Sequence, residues 1–303
     1  MSGLSLDHQA LAAKFLLPAI SLVSTPSHYI GLSTITRELV QRGHDVTLLL
    51  LDRRGTQGML GNSYTDNVTY PNSMSDAELD EVRYEMSTVM TSFGSMTLME
   101  KFQKMSHLNR IRLHGCFELF ADAPTLSRLK DMNFDMILTS PILDTCDTLL
   151  AVYLDVPFTV ITGTRRTPAF NEDLFGIPMS SALVPFSLFK HLPHNMTFAQ
   201  RVQNFVNRYV MHTLLEYVII TQPIRQLQTT YGIREDLSPK EVAASAALWL
   251  CQTTFALDAA RPIAPNWIPI AGFVIPPVQP LTQDLLNFID GAGEHGFILF
   301  TLV

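Results

Sequence analysis

The feature that most constrains this chain is the order strand, helix, strand near its start. Residues 14–23 (KFLLPAISLV) form an apolar run of strand length, followed by a short loop, Ser24-Thr25-Pro26-Ser27-His28. Over residues 30–42 the apolar side chains Leu32, Ile35 and Leu39 recur at three and four, with Arg37, Glu38 and Gln41 opposite. That spacing predicts an amphipathic helix, which Gly43 is placed to end. His44-Asp45 then leads into a second buried-type strand over 46–51. A helix joining two strands makes a parallel βαβ unit, because parallel strands need a long crossover connection.

The rest of the chain continues the alternation. Residues 53–75, rich in Gly, Asn, Ser and Asp, read as loop, and 76–129 as helix in at least two pieces. Short strands are predicted at 134–139 (FDMILT) and 157–161, with a helix over 145–154 between them. Residues 162–194 hold several prolines and little periodicity, which reads as a long functional loop region. A long helical stretch follows over 197–231, then strands at 248–253 and 268–273, a helix at 281–289 and a last strand beginning at 297 (FILFTLV). Because the chain ends inside that apolar segment, it reads as a fragment or a truncated product. The pattern as a whole is α/β with a mainly parallel sheet flanked by helices.

Composition narrows the function classes. A chain of 303 residues with 47% hydrophobic content can bury a large core, as one big domain or two small ones. The net charge of -7, with no Lys/Arg cluster, argues against nucleic-acid binding. The 13 Met and 18 Phe read first as core filler and second as an adaptable pocket for lipophilic molecules. Cys116, Cys146 and Cys251 form no C-x-x-C pair, so a metal or dithiol site is not expected; one disulfide is open, and its pairing is not fixed by the sequence. Asn67-Val68-Thr69 and Asn195-Met196-Thr197 are glycosylation sequons and argue weakly for a secretory compartment. No apolar run approaches the roughly 18 residues that span a bilayer. Residues 1–13, with Asp7 and His8, do not read as a signal peptide; either a leader is missing or the chain is not secreted in this form.

In open α/β sheets ligands bind beyond the carboxyl ends of the strands. His28 lies there, after strand one and at the start of helix one. A helix N-terminus disfavours added positive charge and so favours the neutral imidazole that a general base requires. The alternative for a loop histidine is a plain solvated side chain. The βα turn lacks G-x-G-x-x-G, which argues against a nicotinamide-binding domain, and no P-loop, H-E-x-x-H or G-x-S-x-G occurs. His191 and His194 flank Leu192-Pro193 and do not share a regular helix, so no metal is expected there.

Ser27-His28-Tyr29, the following helix and Gln41-Arg42-Gly43-His44-Asp45-Val46 resemble the opening of the UDP-glucuronosyltransferases, with a Ser-His after strand one and then E-L-x-x-R-G-H-x-V. The likeness continues through Cys116 to Leu129 and Phe134-Asp135-Met136-Ile137-Leu138-Thr139, and recurs at Met196-Thr197-Phe198 with Gln200-Arg201-Val202-Gln203-Asn204. It ends with Arg261-Pro262, Pro265-Asn266, Gly272, Pro280-Leu281 and Gly293-Glu294-His295-Gly296. Each piece is weak alone; their order over nearly the whole chain is what carries the resemblance.

The resemblance implies the N-terminal half of a two-domain GT-B glycosyltransferase, built on a Rossmann-like sheet. On that reading residues 1–13 are an extension, 14–289 an acceptor-binding domain, and 290–303 the linker and first strand of a UDP-sugar-binding domain that lies further on. The implied reaction is inverting transfer from UDP-sugar to a small lipophilic hydroxyl acceptor. It uses no metal and no cofactor beyond the UDP-sugar co-substrate. His28 matches the family base. The family aspartate that orients it corresponds to Ser140, which carries no charge; Asp144, and after it Asp147, are the nearby carboxylates that could substitute, although Asp144 also reads as a helix N-cap. Ser27, Tyr29, Ser140, Phe170 and Phe186 are the implied acceptor-side residues, and Phe175 and Phe189 share the same Pro-rich region. Glu294-His295 and Arg261-Pro262 read as turn chemistry and chain-path residues. The apolar residues Phe198, Val202, Phe205, Val206, Tyr209 and Val210 read as core packing, with contact to a membrane surface the second reading. Family members sit in the endoplasmic reticulum. The competing hypothesis is a non-catalytic acceptor-binding or regulatory chain that pairs with itself or with full-length relatives.

Overall fold

The computed structural model describes residues 12–19, 26–52, 63–92, 95–139, 146–162, 180–185, 192–193, 195–211, 213, 217, 221–254, 263–275 and 278–300. Two compact units divide at Gly272/Phe273. In the first, seven strands form one sheet: β1 (Lys14–Ala19), β2 (Asp45–Leu51), β3 (Asp66–Tyr70), β4 (Met136–Thr139), β5 (Phe158–Thr162), β6 (Leu248–Cys251) and β7 (Trp267–Pro269). Their spatial order is β3-β2-β1-β4-β5-β6-β7, and every pairing is parallel. The expected α/β architecture with a parallel sheet is therefore the one observed.

Strand periodicity sorts the apolar residues onto two faces. Leu16, Leu49, Leu51, Ile137 and Val160 join one core cluster; Leu17, Leu48, Leu50, Leu138 and Ile161 join the other. Successive side chains on a strand point to opposite faces, so a run such as Asp45–Leu51 is apolar throughout only because both faces are covered. Each leucine so buried contributes roughly 2 kcal/mol. On the first face lie buried residues of α3 (Leu98–Ala121), α4 (Ala123–Asp131), α5 (Cys146–Leu154), α7 (Gln222–Tyr231) and α8 (Pro239–Ala244); on the second, Leu32 of α1 (Pro26–Gln41). Pro18 is tolerated in the central strand β1. Its ladder to β2 runs from Lys14 to Ala19, but the ladder to β4 involves only Phe15 and Leu16, so the missing N–H breaks no pairing there.

Several sequence expectations are corrected. β3 lies inside the stretch read as loop; its alternation, Val68 and Tyr70 buried with Thr69 exposed, was hidden by the polar residues around it. α1 starts at Pro26, so Ser27, His28 and Tyr29 belong to its first turn rather than to a loop. Proline suits that start because its fixed φ and missing N–H cost nothing at a first helical position. Residues 76–129 are helical in pieces as expected, with α2 (Asp76–Ser92), α3 and α4 among the described residues. Thr97 opens α3 with a capping box to Glu100, and Pro124 sits in the first turn of α4. Over 197–231, read as a long helical stretch, the described residues include α6 (Phe198–Val206), a π-helical turn (Asn207–Met211) and α7. α8 was not expected. Its Ser238–Glu241 capping box and Pro239 are its sequence signal. Residues 296–300 form no strand, because no segment among the described residues pairs with them. The second unit, described by itself, carries α9 (Gln283–Gly291) and a 3-10 turn (Gly293–His295).

The core-packing reading of α6 also fails. Phe198 is 83% exposed and Phe205 54%, whereas Asn204 is fully buried and Arg208 nearly so. The inward face is polar: the Asn204 amide donates to the Ser181 and Val184 carbonyls at 2.7 and 2.8 Å.

Cys116 of α3 and Cys146 of α5 form a buried disulfide with Cα atoms 5.9 Å apart, and Cys251 is free and buried. It closes a loop with a sequence separation of 30. On chain entropy, replacing both cysteines by alanine should lower the unfolding free energy by about 4 kcal/mol in urea titration. Reductant should destabilise the wild type to a similar degree and leave the double variant unchanged.

Three helix-capping glutamates supply a pH dependence. A hydrogen bond from the Ser75 hydroxyl holds Glu78 below the ordinary carboxylate value, the Thr97 hydroxyl does the same for Glu100, and the Ser238 backbone N–H for Glu241. A lowered folded value means stability that is present above the unfolded value and lost as pH falls through the folded one. The stability difference between wild type and Glu241→Gln should therefore be full at neutral pH and close as pH drops below the ordinary glutamate range of about 4, as followed by circular dichroism.

Candidate active site

The strand order reverses direction between β1 and β4, the place where open parallel sheets form a crevice at their carboxyl ends. Two connections start at that crevice. The chain leaves β1 at Ala19 and enters α1 at Pro26; it leaves β4 at Thr139 and enters α5 at Cys146. His28 is the third residue of α1, in the turn whose backbone N–H groups and dipole oppose added positive charge. Ser140 directly follows the last residue of β4.

The sequence-derived site residues divide by what is described. The backbone of Ser27, His28 and Tyr29 lies in the first turn of α1. Ser140, Asp144, Phe170, Phe175, Phe186, Phe189, His191, His194 and Arg261-Pro262 lie outside the described residues. Asp147 is described: it is buried in the first turn of α5, at the same sheet edge as His28. Sequence reasoning ranked it behind Asp144. The signal for it was its position, one residue after a cysteine that pins the helix start to α3.

The far end of α1 is built rather than reactive. Gly43, at φ 86°, takes the left-handed conformation, and its N–H reaches the Val40 carbonyl while that of His44 reaches Leu39. This pair of bonds is a Schellman termination. The His44 ring packs edge-on against Phe15, and its Nδ1 accepts from the Ala13 N–H at 3.2 Å. It ties α1 to the start of β1.

A Ser–His–carboxylate grouping does occur among the described residues. Ser73 Oγ lies 2.8 Å from His114 Nε2, which lies 3.1 Å from Glu118 Oε1; that oxygen also accepts the Ser73 N–H at 2.6 Å. A catalytic triad needs the serine on one imidazole nitrogen and the acid on the other. Here one nitrogen meets both, so the group latches the β3–α2 loop onto α3 and relays no proton. Among the described residues no cluster of three or more His, Cys, Asp or Glu side chains could hold a metal ion.

Comparison with known proteins identifies the family. The family model for UDP-glucoronosyl and UDP-glucosyl transferase matches residues 19–303. The chain is 30% identical over 281 residues to UDP-glucuronosyltransferase 1A4 of Oryctolagus cuniculus, covering 91% of this chain and 51% of that protein. It is 26% identical over 288 residues to UDP-glucuronosyltransferase 1A1 of Homo sapiens, with the same coverage of 91% and 51%. The chain thus spans about half the length of the curated relatives it matches. The solved structure of CalG4, the calicheamicin glycosyltransferase, is similar over 86% of this chain and 53% of its own, at 15% identity and a TM-score of 0.45. With a family match over residues 19–303, this chain belongs to the UDP-glucoronosyl and UDP-glucosyl transferase family.

Proposed function

We propose that this chain is the acceptor-binding part of an inverting, metal-independent UDP-glycosyltransferase that moves a hexosyl group, glucuronosyl or another, from UDP-sugar to a small lipophilic hydroxyl. The reading is supported by family membership together with one observation: the β1/β4 crevice of an all-parallel sheet has the first turn of α1, with His28, at its rim. In this reading neutral His28 takes the acceptor proton as the hydroxyl oxygen attacks the anomeric carbon, and UDP leaves from the opposite face. Holding the two substrates in line supplies much of the rate. Residues 14–289 serve the acceptor, with Ser27, Tyr29, Phe170 and Phe186 on its side. Donor binding belongs to sequence matching the remaining half of the relatives.

Ser140 is the departure that decides how active the site is. It can accept a hydrogen bond from the imidazole but cannot offset imidazolium charge. Asp144, or the buried Asp147, is the carboxylate proposed to take that part. Ser140 also supports a second reading, in which the chain binds acceptors without turnover and pairs with itself or with relatives. The Cys116–Cys146 disulfide and the exposed sequon residue Asn195 support an oxidising compartment, which for this family is the endoplasmic reticulum lumen.

The test is UDP release with a phenol panel, using the chain joined to whatever downstream sequence its gene supplies. His28→Ala should lower kcat by about 100-fold or more; activity that survives it intact would remove the base assignment. Ser140→Asp should raise kcat, by up to about 10,000-fold if no other carboxylate serves, and Asp144→Asn and Asp147→Asn then identify which one does. Binding of phenols without UDP release in every variant would favour the second reading.

A further inference from the structure

The two glycosylation sequons sit in unlike surroundings. Asn67 is half-buried inside β3, where it pairs with Leu48 of β2. Asn195 is exposed in the bend that leads into α6, and among the described residues its side chain has no hydrogen-bond partner. The bend holds that outward pose. Met196 is buried, at 3% exposure, and its carbonyl accepts from the Arg201 Nε at 3.1 Å. Thr197 beyond it is exposed again. The middle residue of the triplet thus anchors the chain, while the asparagine and the threonine on either side face solvent.

An N-linked oligosaccharide is bulky and hydrophilic, so a folded chain accommodates it at a surface position of this kind. At Asn67 it would have to be housed against the β2–β3 ladder. The triplet at 195–197 has Met and not Pro in the middle, as the acceptor pattern requires. The Cys116–Cys146 disulfide is separate support for an oxidising compartment. Timing follows from the start of α6. There the Thr197 hydroxyl accepts from the Gln200 N–H at 3.4 Å, and the Gln200 side chain accepts the Thr197 N–H at 2.8 Å. The hydroxyl that completes the sequon is therefore occupied once the capping box closes, which assigns the modification to the nascent chain.

We infer that Asn195 is a site of N-linked glycosylation. The step joins its amide nitrogen to the anomeric carbon of a lipid-diphosphate-linked oligosaccharide. The bond from that carbon to the diphosphate oxygen breaks, the lipid diphosphate leaves, and the nitrogen gives up one proton. The inference rests on the lumenal part of the proposed function and not on the transferase reading. The test is expression in cultured animal cells of the chain with whatever flanking sequence its gene supplies, then peptide-N-glycosidase digestion and tandem mass spectrometry. Digestion of the wild type should leave a deamidated residue at position 195 and raise the gel mobility. Asn195→Gln should abolish the glycan at this site, and Thr197→Ser should keep it. Gln200→Ala, which opens the capping box without touching the triplet, should also keep it. Alkylation of Cys116 and Cys146 in the same sample reports the compartment. An unmodified Asn195 beside an intact disulfide overturns the site, as does a glycan on Asn67 and none on Asn195. An unmodified Asn195 with free thiols overturns the lumenal reading and the inference together.

Discussion

The ladder between β1 and β2 is the interaction on which the remainder of the molecule depends. Every residue of β1 from Lys14 to Ala19 finds a partner on β2, and both strands are buried on both faces. Parallel strands cannot turn back on themselves, so the ladder forces α1 across one face, and the return helices cover the other. Both core clusters draw on these two strands, which makes the ladder the seam between two hydrophobic layers. Had either layer been absent, the leucines of β2 on that side would face water.

From that ladder follows the position of the crevice. β1 has β2 and β3 on one side and β4 to β7 on the other, so the order switches between β1 and β4, the place where open parallel sheets leave a gap at the carboxyl edge. The fold supplies this gap without reference to any reaction. In the proposed function the site comes from the sequence that fills the two connections: a histidine in the first turn of α1, and beyond β4 a serine followed by carboxylates. The Cys116–Cys146 bridge fastens the start of α5, and so fixes one end of the second connection to the helix layer beneath.

Polar groups decide the details that apolar packing leaves open. On α6 it is Asn204 that faces inward, bonding two carbonyls, and left unbonded there its amide would carry a desolvation penalty. Ser73, His114 and Glu118 show how a catalytic-looking triplet can serve a loop instead, since the two contacts share a single ring nitrogen. Geometry, and not residue type, separates a latch from a relay.

Taken alone, the sequence determined the α/β class, the first βαβ unit, the helix stop at Gly43 and the family, because all of these are carried by local periodicity, by conformational preference and by motif order. It also singled out His28 from its place after strand one. Tertiary structure decided the rest. β3 emerged only because β2 offers it an edge, and residues 296–300 stayed unpaired because none of the described residues does the same for them. The choice of Cys146 over Cys251 as partner of Cys116 required α3 and α5 to pack on one face of the sheet. The orientation of α6 is the clearest case: its apolar periodicity is the same whether it faces in or out, and the Ser181 and Val184 carbonyls that Asn204 reaches are brought beside it only by the fold.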